Sequence, residues 1–272
     1  MILLSRGKAD FTLTIYRELL CALRQRGYQF LTFEQYCQLK GVGQVGSLPE
    51  KFIILRHDVD LKAGNSLLTA QVEYELGVKA SYYFRVVPQS NQPEVIRAIA
   101  ELGHEIGYHY EDMAMAHGNT KEAFEHFQKQ LSYFRQFYPV RTICMHGAPT
   151  SKWDGRDLWK HYDYRDLGII GEPYFDVDFS QVFYLTDTGR CWDGYKVSVR
   201  DKIPMYQDQW TERGWVYHQT QDIICAAEQS SLPPRIMITT HPQRWTDRLL
   251  SWSKELVLQS FKNTIKQLFF VK

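Results

Sequence analysis

The sequence predicts one α/β domain built around a parallel barrel that is closed or nearly closed. Short apolar runs alternate with segments whose apolar residues recur at helical spacing, which is typical of repeated βα units. About seven such runs fit into the 272 residues, a number that favours a barrel over an open sheet. The sequence contains no repeat, low-complexity stretch or linker, so we expect a single domain over residues 1–272.

The predicted elements follow one another in βα order. Leu13, Leu20 and Leu23 recur at helical spacing, and Gly27 is placed to end this first helix. Strands are predicted where apolar or aromatic residues run together, and helices where amphipathic segments begin at capping residues or end at glycine. The predicted strands are 52–55, 80–84, 105–108, 142–145, 169–170, 182–186 and 236–240. The later predicted helices are 65–76, 91–103, 120–138, 219–229 and 247–268.

Composition and charge exclude several classes of protein. The formal net charge is +1, which gives no long-range attraction toward nucleic acid or an anionic membrane, so we expect no nucleic-acid partner. No stretch approaches the about 20 apolar residues that span a bilayer, so no integral membrane segment is expected. Residues 1–8 lack the apolar core of a signal peptide.

Cysteine spacing favours a reducing compartment. The five cysteines are scattered and form no C-x-x-C pair, which argues against a sulfur-rich zinc site and against a disulfide framework. We therefore expect a cytoplasmic location. The sequence indicates no oligomeric state.

Polar clusters at four predicted strand ends are the strongest functional signal. They occupy positions 57–60, 109–112, 146–147 and 241–245, and parallel strands bring their carboxyl ends to one edge. Asp58 and Asp60 are close enough to share a site. Because neighbouring carboxylates repel unless a cation or proton intervenes, one suits a hard-metal ligand and the other a base. A pair of solvated loop aspartates is the alternative for this motif alone.

Three motifs in the first half of the chain resemble the NodB-homology polysaccharide deacetylases, which form carbohydrate esterase family 4. They are Leu-Arg-His-Asp-Val-Asp at 55–60, Leu-Gly-Val-Lys-Ala-Ser-Tyr-Tyr-Phe at 76–84 and Gly-His-Glu-Ile-Gly-Tyr-His at 103–109. Each motif alone is weak, and the ordered set is specific. The resemblance covers about residues 50–245. It implies a distorted (β/α)7 barrel and a divalent metal, most often zinc, that activates a water to attack an acetamide or ester.

The resemblance also assigns roles to individual residues. It makes Asp58 the catalytic base, Asp60 the metal-ligating aspartate and His109 the first metal histidine. His241, after the last predicted strand, is similar to the histidine that protonates the leaving group. Imidazole suits that task because its pKa lies near working pH.

The family's second metal histidine has no counterpart here. Its position holds Met113, a poor ligand for a divalent ion of this kind. We expect His146 to supply the third ligand, with Glu111 and His117 as further candidates. His-Gly-Ala-Pro at 146–149 also stands where the family has an arginine-proline motif.

The segment 153–201 is predicted as an elaborated excursion over the barrel mouth. It mixes aromatic faces with carboxylates and arginines, a composition that suits a sugar. A long loop packed for stability is the alternative. The predicted substrate contacts, from this segment and the strand ends, are Glu111, Asp187, Arg190, Trp192, Arg244 and Trp245.

Together these observations predict a metal-dependent hydrolase that removes an acetyl or other acyl group from a carbohydrate. The substrate class would be an amino sugar or glycan precursor in surface polysaccharide biosynthesis. Two alternatives stay open. One is a metal-independent hydrolase of C–N bonds that uses Asp58 and His241, and the other is a non-catalytic sugar-binding protein.

Overall fold

The computed structural model describes residues 9–41, 48–148, 150–193, 198 and 200–269. The strands are β1 (Gln29–Leu31), β2 (Phe52–Val59), β3 (Ser81–Phe84), β4 (Glu105–Tyr110), β5 (Ile143–Met145), β6 (Phe183–Thr186) and β7 (Arg235–Thr240). The helices are α1 (Leu13–Gln25), α2 (Phe33–Gly41), α3 (Ala63–Glu75), α4 (Pro93–Glu101), α5 (Asp112–Met115), α6 (Thr120–Phe134), α7 (Pro173–Asp176), α8 (Pro204–Glu212), α9 (Thr220–Glu228) and α10 (Leu249–Phe269). Residues 1–8 and Pro149, which entered the sequence analysis, lie outside the described residues.

All the strand pairings are parallel, and the sheet has the order β5-β4-β3-β2-β7-β6, with β1 beside β2. It curls into a half-barrel surrounded by helices, which confirms the predicted distorted (β/α) barrel. Among the described helices, none combines the length and apolarity needed to cross a membrane. The extent of the single domain stays a prediction.

Strand β2 runs through the centre of the sheet and carries the first motif. All eight of its residues are buried, with apolar side chains in the first half and Arg-His-Asp-Val in the second. Its register places Asp58 beside Tyr83, which in turn pairs with Gly107 of β4. A Cβ on Gly107 would lie 2.3 Å from a Tyr83 ring carbon, so the glycine makes room for this ring. The motif glycine therefore keeps neighbouring strands in register beneath the site.

A buried carboxylate connects one face of the sheet, the face that carries His57 and Tyr82, to helices α1 and α3. Glu73 of α3 accepts hydrogen bonds from the hydroxyls of Tyr16 and Tyr82 at 2.5 and 2.8 Å, and pairs with His57 Nε2 at 2.7 Å. His104 is also buried, and its Nδ1 accepts from the Ala80 backbone amide at 3.2 Å. Both histidines are therefore engaged in buried contacts between the sheet and α3.

The structure differs from the predicted elements in one predicted strand and in several elements that were not predicted. Residues 169–170 form no strand; the backbone there makes only an isolated bridge between Thr142 and Gly171 beside β5. The sequence analysis did not predict strand β1 or helices α2, α5, α7 and α8. A three-residue strand and the four-residue helices α5 and α7 leave almost no periodicity to detect, and α2 and α8 are only weakly amphipathic.

Candidate active site

Four strand ends converge on one cavity, as the strand-end clusters predicted. Asp58 and Asp60 come from the end of β2, His109 from β4, His146 from just after β5 and His241 from just after β7. All five side chains line the same cavity of about 90 Å³. The remaining lining residues are Met145, Gly147, Tyr174, Thr188, Ser198, Arg200, Asp201 and Arg244.

Three potential metal ligands meet at Asp60. The Nε2 atoms of His109 and His146 lie 3.6 and 3.5 Å from Asp60 Oδ1, and the three ligand atoms are all within 4.8 Å of one another. Asp60 Oδ1 is buried and has no hydrogen-bond partner. Burial alone would raise the pKa of Asp60, but the neighbouring histidines hold it well below its ordinary value. The result is an ionised oxygen aimed at two imidazoles.

Both imidazoles are oriented by a hydrogen bond at their other nitrogen. His109 Nδ1 donates to the carbonyl oxygen of Cys144 at 3.0 Å, and His146 Nδ1 donates to Glu111 Oε2 at 3.0 Å. These partners assign the tautomers that leave each Nε2 lone pair free to bind a cation. Glu111 is itself held by Arg85 through two bonds of 2.9 Å. Burial would raise the pKa of Glu111, but His146 and Arg85 lower it to about 2.

These features fit a divalent cation of the zinc type. Two neutral imidazoles and one carboxylate are a common zinc ligand set, and the unpartnered Asp60 oxygen lacks the bond that such an ion would provide. Asp58, His109 and Cys144 also approach one another within 4.8 Å. That set fits less well, because Arg56 holds the Asp58 carboxylate and burial raises the pKa of the Cys144 thiol well above its ordinary value.

Met113 and the two further candidates for the third ligand, Glu111 and His117, are not among the residues that line the cavity. Met113 is buried in α5. Glu111 contacts His146 and Arg85. His117 packs its ring 5.7 Å from that of Trp153. Of the candidates named from the sequence, the structure places His146 beside Asp60 and His109.

Asp58 is held as a carboxylate by an arginine of its own strand. Arg56 Nε and Nη2 donate to its two oxygens at 2.8 and 2.6 Å, and both side chains are buried. Burial would raise the pKa of Asp58, but the positive charge of Arg56, followed by His109, lowers it. Asp58 Oδ2 lies 3.6 Å from His109 Nε2. An ionised carboxylate thus lies beside His109 in the same cavity.

His241 occupies the other side of the cavity and is anchored by Asp187. Its Nδ1 lies 2.6 Å from Asp187 Oδ1, and its backbone amide donates to Asp187 Oδ2 at 3.0 Å. Its Nε2 faces the cavity, 3.9 Å from Asp60 Oδ2. Burial and Arg244 would lower the pKa of His241, but Asp187 outweighs them and raises it. This arrangement suits a proton donor.

Five of the six predicted substrate contacts are not among the residues that line the cavity. Asp187, Trp192 and Trp245 are 0%, 3% and 0% exposed. Asp187 binds His241, and the two tryptophans pack against Phe11 in the core.

The two arginines among these contacts differ in position. The Arg190 guanidinium lies over the rings of Phe11 and Trp252, and Arg190 is not among the residues that line the cavity. Glu111 is occupied by Arg85 and His146, as described above. Arg244 is the one member of the predicted set that the structure places in the cavity wall.

Sequence reasoning missed other residues of the predicted excursion that line the cavity. Arg200 donates to the backbone oxygens of Gly147 and Ser151 at 2.8 Å each. Asp201 accepts from the Thr186 hydroxyl at 2.9 Å. Burial would raise the pKa of Asp201, but Arg56 is the first of several groups that bring it to about 2. The composition of residues 153–201 predicted that this segment contributes polar side chains to a site, but it did not indicate which of its charged side chains face the cavity.

A larger cavity of about 380 Å³ adjoins the site and shares Asp60, His146 and Arg244 with it. Its wall contains two further buried atoms without hydrogen-bond partners, Gln243 Oε1 and Arg244 Nε. Such atoms favour a polar ligand that would satisfy them.

No protein-family model matches the chain, and no curated protein matches its sequence. Among solved structures, it is similar to the Streptococcus pyogenes deacetylase PplD in complex with acetate, with 14% identity over 53% of this chain and 67% of that chain and a TM-score of 0.39. It is also similar to wild-type BA3943 from Bacillus anthracis, a CE4 family pseudoenzyme, with 13% identity over 79% of this chain and 61% of that chain and a TM-score of 0.41. A BA3943 mutant with restored enzymatic activity aligns with 13% identity over 79% of this chain and 63% of that chain, and its TM-score is 0.41. The chain therefore spans about three fifths of the BA3943 structures. The solved structures to which this chain is similar are thus a deacetylase and CE4 family pseudoenzymes, and the chain's own three sequence motifs resemble those of the CE4 polysaccharide deacetylases.

Proposed function

We propose that this chain is a metal-dependent hydrolase that removes an acetyl or other acyl group from an amino sugar or related glycan precursor. The observation that supports it best is the convergence of Asp60 Oδ1 with the Nε2 atoms of His109 and His146. Zinc is the proposed ion, because imidazole and carboxylate ligands suit it.

The proposed reaction assigns one task to each neighbouring group. A bound zinc would polarise the acyl carbonyl and make water more acidic. Asp58, kept ionised by Arg56, accepts a proton from the water that attacks the acyl carbon. His241, held by Asp187, donates a proton to the leaving amine or alcohol.

A carbohydrate substrate is proposed because of the walls of the two adjoining cavities. Tyr174 lines the smaller one, where an aromatic ring can contact a sugar face. Gln243 and Arg244 offer unpartnered acceptor and donor atoms in the larger one, which suits hydroxyl groups. We further propose a role in surface polysaccharide biosynthesis and a cytoplasmic setting. The latter is supported by five described cysteines that are all free thiols.

The first test is elemental analysis of zinc-supplemented protein. We expect near-stoichiometric zinc in the wild type and its loss in Asp60→Ala, His109→Ala and His146→Ala. His218→Ala is a matched control, because the side chain of His218 is 62% exposed and lies outside the cavity lining. Zinc retained by His146→Ala would contradict the assigned third ligand. No zinc uptake by the wild type would contradict the metal-dependent mechanism.

The second test separates catalysis from metal binding. Asp58→Asn should retain zinc but lower acetate release from an acetylated chitooligosaccharide by about 10²-fold or more, because a general base typically contributes that much. Activity at the wild-type level in this variant would contradict the role of Asp58. Undiminished wild-type activity after exhaustive chelation would instead support a metal-independent hydrolase.

A further inference from the structure

Helix α10 turns its polar side toward the domain. Trp252 Nε1 donates to the backbone oxygen of Asp10 at 2.7 Å, and Asn263 Nδ2 donates to that of Gly189 at 2.7 Å. Gln259 is only 6% exposed. A helix that packs on a globular core normally buries its apolar side. The inward side of α10 instead carries Trp252, Gln259 and Asn263, so several aliphatic residues of the helix lie on its other side.

Those apolar residues form a stripe on the solvent side of α10. Leu250, Val257, Phe261 and Ile265 fall within a sector of about 80° around the helix axis. Their exposed fractions are 87%, 69%, 67% and 36%, and the adjacent Leu258 is 46% exposed. Single exposed apolar residues are common, but a contiguous stripe of this kind marks an interaction surface.

The charges around the stripe are positive. Lys254 stands within it, and Lys262 stands at its edge. The single carboxylate of α10, Glu255, is 13% exposed and pairs with Lys62 at 3.0 Å. In a symmetric contact between two copies, these lysines would face a surface of the same charge. Anionic headgroups would instead complement them, and a basic helix with an exposed apolar stripe is the pattern of an interfacial helix.

We propose that α10 docks this chain on an anionic lipid bilayer, with the stripe at the boundary between headgroups and acyl chains. The formal net charge of the whole chain, +1, does not reveal the positive charge of the lysines around the stripe. Ile265 also lines the 380 Å³ cavity beside the candidate active site, together with Leu61. Docking through α10 therefore places this wall of the cavity close to the lipid surface. The proposal does not depend on the proposed catalytic activity.

The test is co-sedimentation of the full chain with vesicles of phosphatidylcholine alone and of phosphatidylcholine with phosphatidylglycerol. We expect the wild type to prefer the anionic vesicles and to bind them less strongly as salt is raised. The triple variant Leu250→Gln, Val257→Gln and Phe261→Gln should bind at least about tenfold more weakly, because it removes the apolar part of the contact. Glutamine keeps helix propensity, and circular dichroism would verify folding.

Two further variants separate the contributions. Tyr74→Gln with Met205→Gln is the matched control, since these residues are 59% and 83% exposed on other helices and should not affect binding. Lys254→Glu with Lys262→Glu should abolish the preference for anionic vesicles while leaving the apolar stripe intact. Failure of the wild type to bind either vesicle would overturn the proposal. Equal vesicle binding by the wild type and the triple variant would also overturn it. So would a wild-type dimer that dissociates in the triple variant, if the wild type binds no vesicles.

Discussion

Glu172 is a buried carboxyl group whose ionisation opposes folding. It is fully buried at the start of α7, where its oxygens accept from the backbone amides of Met145 and Tyr174 at 3.0 and 2.6 Å. Burial is the largest influence on its pKa, and it raises that pKa from the ordinary 4.5 to about 7. The folded chain therefore keeps a proton on Glu172 at pH values where the unfolded chain has lost it.

The sign and size of the effect follow from this difference. Between pH 4.5 and pH 7 the folded state binds more protons than the unfolded state, so stability falls as pH rises through that range. From pH 5 to pH 8, the loss from this group amounts to about 2–3 kcal/mol in the free energy of unfolding. Glu172→Gln removes the titration, so the variant should gain this amount relative to the wild type over the same interval.

Urea unfolding at pH 5 and pH 8, for the wild type and Glu172→Gln, measures the effect directly. The readout is the change with pH of the stability difference, because a constant cost of substituting the side chain then cancels. Glu125→Gln is the matched control, since its side chain is 64% exposed and its substitution should shift stability equally at both pH values. If the stability difference between Glu172→Gln and wild type changes by less than about 0.5 kcal/mol between pH 5 and pH 8, the reasoning is refuted.

Three more substitutions test the supports of the site. Glu111→Gln should weaken zinc binding about 10–100-fold by loosening the histidine it holds, and unchanged affinity in a chelator competition would argue against this. Asp187→Asn should lower acetate release by about 10²-fold or more while zinc content stays the same; a wild-type rate would remove its positioning role. Gly107→Ala should cost about 1–3 kcal/mol in urea unfolding because the new methyl meets Tyr83, whereas Gly64→Ala, with no atom within 4 Å, should not destabilise. Equal stability of the two alanine variants would contradict that account.

The sheet was predictable because polar functional residues directly follow the apolar runs that form its strands. Phe52 to Leu55 form a continuous apolar run, and Asp58 and Asp60 follow it directly. The same logic located His109 and His146, since parallel strands place their carboxyl ends together. Strand β1 was not predicted, because the pairing of residues 29–31 depends on β2, a later segment of the chain.

The residues that support the site were less predictable. Asp187 and Trp192 follow β6 and so appeared to face a substrate, yet one holds His241 and the other packs on Phe11. The Trp192 contact could not be predicted, because Phe11 is distant from it in sequence. Glu111 drew attention as a charged strand-end residue, but its contact with His146 requires the alignment of β4 with β5.

The Arg56–Asp58 pair has a consequence for how the site tolerates movement. Both residues belong to β2 and stand two positions apart on one face of a single strand. Their separation is therefore set by the geometry of one backbone segment, without a contribution from neighbouring loops. If the surrounding loops move or are redesigned, the Asp58 carboxylate and the Arg56 guanidinium keep their relative positions. The contribution of Arg56 to the ionisation of Asp58 therefore does not depend on the shape of the cavity around it.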